Sequence, residues 1–330
     1  MSSSTELRRA IETCELKHLL YVEQYDRLRD RVDDALAGHL SRAEALIGPS
    51  RAGKSMILTA LARSYPKVRT AGVMSAPVLR AAISSWVSPR EFPVEVLEAL
   101  GIPVPRTARS VGERFKVLRQ QLQLAGTKVL LLEESSHFVE VSSKVQPRAA
   151  ADMFKTMIDE WGITLIAFGV PRLERLFSSN EQLRLRASSR RVLYPYDFAL
   201  PEHSSAFAGC VRTFVDLFEK QGWPIDVKFP VMVKNCYLHS GGLIGLLSKF
   251  MQELAARPRG EKPRPLTFVD CQAASEEAEG MKHPDHLPFL KEQVAHVELS
   301  QVYGYVFEVN QMSLPKRKPL AAVPTSESVA

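Results

Sequence analysis

Apolar and polar positions follow two rhythms along this chain, and each change of rhythm marks an element. Between residues 6 and 37, Leu16, Leu19, Leu20, Val22, Tyr25, Leu28, Val32, Ala35 and Leu36 recur at helical intervals with charges between them. This predicts a helical stretch, with a break near residues 21–25. Short, nearly continuous apolar runs then alternate with helical patterns. The strand-like runs are 43–47, 68–74, 128–132, 163–168 and 191–196, and the helical patterns between them are 54–64, 111–124, 148–161 and 172–177. Runs this apolar suit a parallel sheet buried on both faces. Strand–helix alternation predicts a doubly wound α/β fold with its ligand at the carboxyl ends of the strands.

Elsewhere the pattern changes character. Residues 75–109 are punctuated by Pro77, Pro89, Pro93, Pro103 and Pro105 around a short helical pattern at 93–100. They read as an insertion at the sheet edge. After Leu200 helical patterns dominate, at 204–220, 230–238 and 243–256, followed by a Pro/Arg/Lys-rich connector at 257–265 and a further helical pattern at 266–279. Residues 281–310 carry a strand-like stretch at 302–309. The expected organisation is an N-terminal helical lead-in (1–40), an α/β core (41–200), a helical lid (201–275) and a C-terminal extension (276–330). The extension is expected to be disordered from about residue 313, where Pro, Ser and Ala accumulate.

Composition narrows the class only slightly. The chain has 330 residues and a net charge of +6, with a pI near 9.1. This basic excess is compatible with a nucleic-acid partner and equally with an indifferent surface. Cys14, Cys210, Cys236 and Cys271 show no zinc-ligand spacing and read as core thiols in a reducing cytoplasm. No signal-peptide pattern and no run of membrane-spanning length is found.

The chemistry begins where the first strand-like run ends. Gly48-Pro49-Ser50-Arg51-Ala52-Gly53-Lys54-Ser55 fits the phosphate-binding pattern Gly-x-x-x-x-Gly-Lys-Ser/Thr, with a helical pattern starting at Met56. Glycines allow tight turns and close approach to an anion, and successive N–H groups at a helix start face it. Lys54 is expected to reach the β- and γ-phosphates and Ser55 to ligate Mg²⁺. Downstream, Val129-Leu130-Leu131-Leu132 runs into Glu133-Glu134, like a Walker B strand. Glu133 would hold Mg²⁺ and Glu134 would orient and polarise the attacking water. An acid pair implies an extra strand between this one and the phosphate-loop strand, and residues 163–168 are the natural choice. That run ends in Phe168-Gly169-Val170, which offers no polar sensor group. Arg184, Arg186, Arg190 and Arg191 follow just before the last strand. These segments are similar to an AAA+ core, in which an arginine at this point can reach the γ-phosphate of a neighbouring subunit as an arginine finger, a role that planar, permanently charged guanidinium suits. Arg186 leads and Arg190 is second, against the alternatives of a solvated basic helix end or a DNA-facing patch.

Together these segments resemble AAA+ ATPases of the TnsC/TniB kind, regulators of DNA transposition. The similarity rests on the phosphate loop, on Leu131-Leu132-Glu133-Glu134 and on Leu165-Ile166-Ala167-Phe168-Gly169-Val170-Pro171. It rests also on Ser179-Asn180-Glu181-Gln182-Leu183-Arg184-Leu185-Arg186 and on Ser240-Gly241-Gly242-Leu243-Ile244-Gly245, which looks like a lid-helix start. Departures are Glu133 in place of Asp, Gly169-Val170 in place of Gly-Thr, Ser135-Ser136-His137 after the acids, and Leu243 or Ile244 where a lid arginine often stands. The resemblance implies ATP and Mg²⁺ as ligands and a homo-oligomeric ring or filament on double-stranded DNA. It further implies a transposase and a target-selection protein as partners, in a bacterial cytoplasm with nucleoid association. Lys144, Arg148, Arg106 and Arg109 are the expected DNA contacts, mainly to the phosphate backbone. The alternatives are a helicase-loader-like AAA+ protein, a small-molecule P-loop kinase, and a nucleotide-binding module without catalysis. Glu134, the downstream arginines and the helical lid argue against the kinase.

Overall fold

A computed structural model describes residues 3–16, 18–39, 42–70, 73–85, 87–103, 105, 108–140, 146–258 and 262–315. In chain order the elements are α1 (Ser3–Glu12), α2 (Leu19–Leu36), β1 (Ala43–Ile47), α3 (Lys54–Ser64), β2 (Val68–Thr70), β3 (Val73–Ser75), β4 (Val78–Ala82), α4 (Phe92–Leu100), α5 (Val111–Leu124) and β5 (Val129–Glu133). There follow α6 (Pro147–Asp159), β6 (Thr164–Gly169), α7 (Glu174–Ser178), α8 (Glu181–Arg186), β7 (Ala187–Val192), α9 (Pro201–Lys220), α10 (Phe229–Ser240), α11 (Ile244–Ala256), α12 (Phe268–Glu277) and α13 (His296–Val309). Two 3-10 turns, Ser135–Val139 and Pro171–Leu173, follow β5 and β6.

The main sheet has five strands in the order β4-β5-β6-β1-β7, and every pairing is parallel. Its two faces are both buried, as parallel sheets require. Leu130, Leu132, Leu165 and Ala167 enter one apolar cluster with α4, α5 and α6. Their strand neighbours Val129, Leu131, Ile166 and Phe168 enter another, with α2, α3 and α13. The period-2 alternation of a strand thus serves two layers of helices. A third cluster unites α9, α10, α11 and α12, and Leu7 and Ile11 of α1 insert into it.

Several sequence expectations hold closely. β1, α3 and α5 have the expected bounds, and β6 lies between β5 and β1 as the acid pair implied. Others are corrected. The run 68–74 is not a strand of the main sheet: it contributes to a separate antiparallel hairpin, β2–β3, whose first strand is exposed. The edge strand is β4, from inside the segment read as an insertion. Pro77 before it and Arg80 within it interrupt the apolar run, yet Val78, Leu79 and Ala81 are all buried.

The strand-like stretch 302–309 belongs to helix α13. Leu299, Val302, Tyr303, Val306 and Phe307 are its buried positions, a helical spacing that overrides the β-branched composition. The N-terminal break falls between the end of α1 at Glu12 and the start of α2 at Leu19 rather than at 21–25. The last strand starts earlier than expected, at Ala187. The expected disordered tail lies, from residue 316 onward, outside the described residues. Among the described residues no helix is long and apolar enough to cross a membrane.

Candidate functional site

β1 delivers the chain into the Gly48–Gly53 turn at its carboxyl end. Gly48 donates its N–H to Gly169 O at 3.1 Å, which ties the loop to the exit of β6. A Cβ on Gly48 would lie 2.7 Å from Leu193 O, so only glycine fits this close approach. Gly53 adopts φ +102°, with open space where a side chain would stand. No side chain caps α3, so its first N–H groups are directed into the loop.

Lys54 closes the loop from within. Its Nζ donates to Gly48 O at 2.9 Å and Pro49 O at 2.7 Å. Burial pushes its pKa down to about 8, and the Glu134 carboxylate acts in the opposite sense. Phosphate fits this cradle: the loop leaves space, the helix start is uncapped, and the ammonium already binds oxygen atoms there.

Arg51 faces away from the cradle. It sits at φ +66°, its carbonyl accepts the Gly245 N–H at 2.8 Å, and its guanidinium meets Glu279 at 2.6 Å. The start of α11 is therefore seated on the phosphate loop, where the Ser240–Gly245 pattern resembled a lid-helix start. Gly241 and Gly242 make the bend with φ of +60° and +80°.

The two acids have different surroundings. Glu133, at the end of β5, is paired with Arg80 of β4: Nε and Nη2 both donate to Oε2, at 3.1 and 2.5 Å. Arg80 Nη1 also donates to Thr59 of α3 at 3.1 Å. Both bonds to Glu133 fall on the one oxygen, Oε2, and Ser55 is exposed. A hydroxyl and a carboxylate oxygen are hard donors of the kind Mg²⁺ takes, largely through phosphate and water. Among the described residues no cluster of three or more His, Cys, Asp or Glu side chains could hold a metal alone. Glu134 is exposed and adopts φ +54°, a costly conformation for a non-glycine residue.

The turn after the acids is locked to β6. Ser136 Oγ accepts the Val170 N–H at 2.7 Å and donates to Val170 O at 3.3 Å. A Cβ on Gly169 would overlap Ser136 Oγ. Glu140 bridges His137, at 3.1 Å, and Arg172, at 3.3 Å.

The predicted arginines lie elsewhere. Arg186 ends α8, where its Nε donates to Asp159 at 2.6 Å and its Nη1 to Gln182 O at 2.9 Å. The next residue, Ala187, is in register with Ala43 at the start of β1. The whole length of β1 thus separates Arg186 from its own phosphate loop. Arg190 is in register with Ala45. Arg148 lies in the first turn of α6 and Arg109 just before α5, both exposed. Lys144 and Arg106 fall outside the described residues.

Residues 11–194 match the family model for the bacterial TniB protein. The chain belongs to the TniB family. No curated protein matches it in sequence. Among solved structures it is similar to the Aeropyrum pernix ORC2 protein in its ADPNP–ADP complexes, with a TM-score of 0.59 and 13% identity over 84% of this chain and 73% of that one. It is similar to Cdc6p from Pyrobaculum aerophilum, with a TM-score of 0.58 and 13% identity over 88% and 80%. Drosophila ORC bound to DNA aligns with a TM-score of 0.52 and 11% identity over 95% and 80%. These similarities establish an AAA+ P-loop fold for this TniB-family chain.

Arg80, Arg172 and Glu279 went unnoticed in the sequence. Only Arg80 left a signal, a lone charge inside an otherwise apolar run.

Proposed function

We propose that this TniB-family protein is an ATP-dependent regulator of DNA transposition, with residues 41–200 as its ATPase core and 201–275 as its lid. The observation that carries the reading is the cradle in which Lys54 binds loop carbonyl oxygens beside Glu134. Lys54 transfers its hydrogen bonds from Gly48 O and Pro49 O to phosphate oxygens. Ser55 and Glu133 would hold Mg²⁺, directly or through water, and the metal would offset phosphate charge. Glu134 accepts a hydrogen bond from the attacking water and orients it. Arg186, a strand's length from its own loop, would act on a neighbouring subunit's nucleotide, so that a homo-oligomer would complete the site.

Double-stranded DNA is the proposed track. Family membership supports it, as do the solved relatives of similar fold, one of them bound to DNA. Arg148 opens α6 and Arg109 precedes α5, helices that lead back to the starts of β6 and β5, so both arginines lie on the carboxyl side of the sheet with the loop. They are the proposed phosphate-backbone contacts, with Lys144 and Arg106. A transposase and a target-selection protein are the proposed partners. The Arg80 contact on Glu133 favours a second reading, in which nucleotide gates assembly and hydrolysis is slow or absent.

The test is ATP-dependent assembly on DNA, followed by sedimentation. Lys54→Ala abolishes assembly, whereas Glu134→Gln assembles and hydrolyses far more slowly. Assembly that ignores ATP overturns the reading. Wild-type assembly without hydrolysis selects the gated reading.

A further inference from the structure

The sensor position that looked empty in the sequence has a candidate replacement one turn further on. β6 ends without a polar side chain, and the chain turns through Pro171–Leu173 into α7. That turn and the start of α7 bring Arg172 and Arg175 to the wall of a cavity of about 460 Å³. The same cavity is lined by Ser50 of the phosphate loop and, opposite, by Asn310 and Gln311 at the end of α13. Arg172 shares its charge with Glu140 at 3.3 Å. Among the described residues, the Arg175 guanidinium takes part in no hydrogen bond or ion pair. Glu174 also lines the cavity.

We propose that Arg175 is a binding residue in cis that reads the terminal phosphate of a nucleotide seated on Gly48–Ser55, with Arg172 and Glu140 fixing the turn that carries it. The inference rests on the nucleotide reading above. Three features point to it together: a cation with no partner among the described residues, a cavity it shares with the loop, and a turn anchored on both sides. The anchors are Ser136 on Val170 and Glu140 on Arg172. A nucleoside triphosphate carries more negative charge than a diphosphate, and guanidinium binds phosphate oxygens in bidentate fashion. A guanidinium beside the loop therefore discriminates between the two. The lid offers no arginine at Leu243 or Ile244, so discrimination falls to the core.

Calorimetric titration with ADPNP and with ADP, in the presence of Mg²⁺, tests this on the full chain. Arg175→Ala is expected to weaken ADPNP binding about 10-fold, the size of a lost charge-assisted hydrogen bond, and to leave ADP binding near that of the wild type. Arg175→Lys, which keeps the charge but loses the bidentate fork, restores only part of the preference. An unchanged ADPNP-to-ADP ratio in a normally folded Arg175→Ala overturns the inference while leaving the nucleotide reading intact. Equal affinity of wild type and Lys54→Ala for both nucleotides overturns the nucleotide reading itself.

Discussion

Arg80 of β4 places two hydrogen bonds on a single oxygen of Glu133 of β5, at 3.1 and 2.5 Å, and a third on Thr59 of α3 at 3.1 Å. One guanidinium thus ties together the edge strand, the acid-bearing strand and the phosphate-loop helix. The pair is partly solvated, with 36% and 15% of the two side chains exposed, so its net worth is well below that of a buried pair.

A double-mutant cycle measures this worth. Arg80→Ala, Glu133→Ala and the double variant are expected to reveal a coupling energy of about 1 kcal/mol in urea denaturation. Additive effects would mean that the contact is incidental. Arg80→Ala also separates the two readings: ATP turnover falls if Arg80 orients Glu133 for the metal and rises if the contact withholds Glu133 from it.

Lys54 predicts a pH dependence. Its pKa falls from an ordinary 10.5 to about 8 through burial. Between these values the unfolded chain holds the proton and the folded chain has released it. Stability therefore rises with pH across the window from about 8 to 10.5. Thermal unfolding at stepped pH shows the contribution as a slope that Lys54→Met lacks. Nucleotide binding near pH 9 should take up a proton, since phosphate restores the charged ammonium. Calorimetry in buffers of different ionisation enthalpy reads that uptake directly.

Arg186 is held by Asp159 at 2.6 Å, at the far end of the sheet from its own loop. Arg186→Ala is expected to bind ATP as the wild type does and to lose at least about 10-fold in hydrolysis. Mixing it with Lys54→Ala should restore turnover, because one subunit supplies the nucleotide and the other the arginine. No recovery on mixing would place the finger elsewhere, and an inactive Arg190→Ala beside an active Arg186→Ala would name it.

Gly242 and Gly38 separate two costs of adding a side chain. Both have positive φ, +80° and +86°. At Gly38 nothing stands within 4 Å of an added Cβ, so Gly38→Ala should cost only backbone strain, about 1 kcal/mol. At Gly242 the added Cβ would lie 2.9 Å from Tyr196 N and closer still to Tyr196 O, where Tyr196 N–H bonds to Gly242 O at 3.1 Å. Gly242→Ala should cost at least about 2 kcal/mol, read as a lower urea midpoint. Equal costs would show that Tyr196 yields freely.

The parts of the fold and site that were legible in the sequence are local ones. The apolar runs of β1, β5 and β6 carry period and length within a few residues. The phosphate loop is legible because its glycines and lysine act through backbone only a few bonds away. The fourfold apolar run before Glu133 and Glu134 likewise announces its strand end. β4 escaped because a charge and a proline break its run. α13 escaped because β-branched residues mask a helical spacing that becomes evident only once Val302, Tyr303, Val306 and Phe307 are seen buried together.

By itself, then, the sequence determined the alternating architecture, the loop that can cradle phosphate, the acid pair and the arginine-rich segment before the last strand. Tertiary structure alone decided that Arg80 grips Glu133, that Arg51 turns from the cradle to Glu279, that Arg175 shares a cavity with Ser50, and that Arg186 lies a strand's length from its own loop. Periodicity and motif spacing reflect interactions along the chain. These pairings instead depend on which strands become neighbours and which helix ends meet, and that is set by burying both faces of the sheet at once.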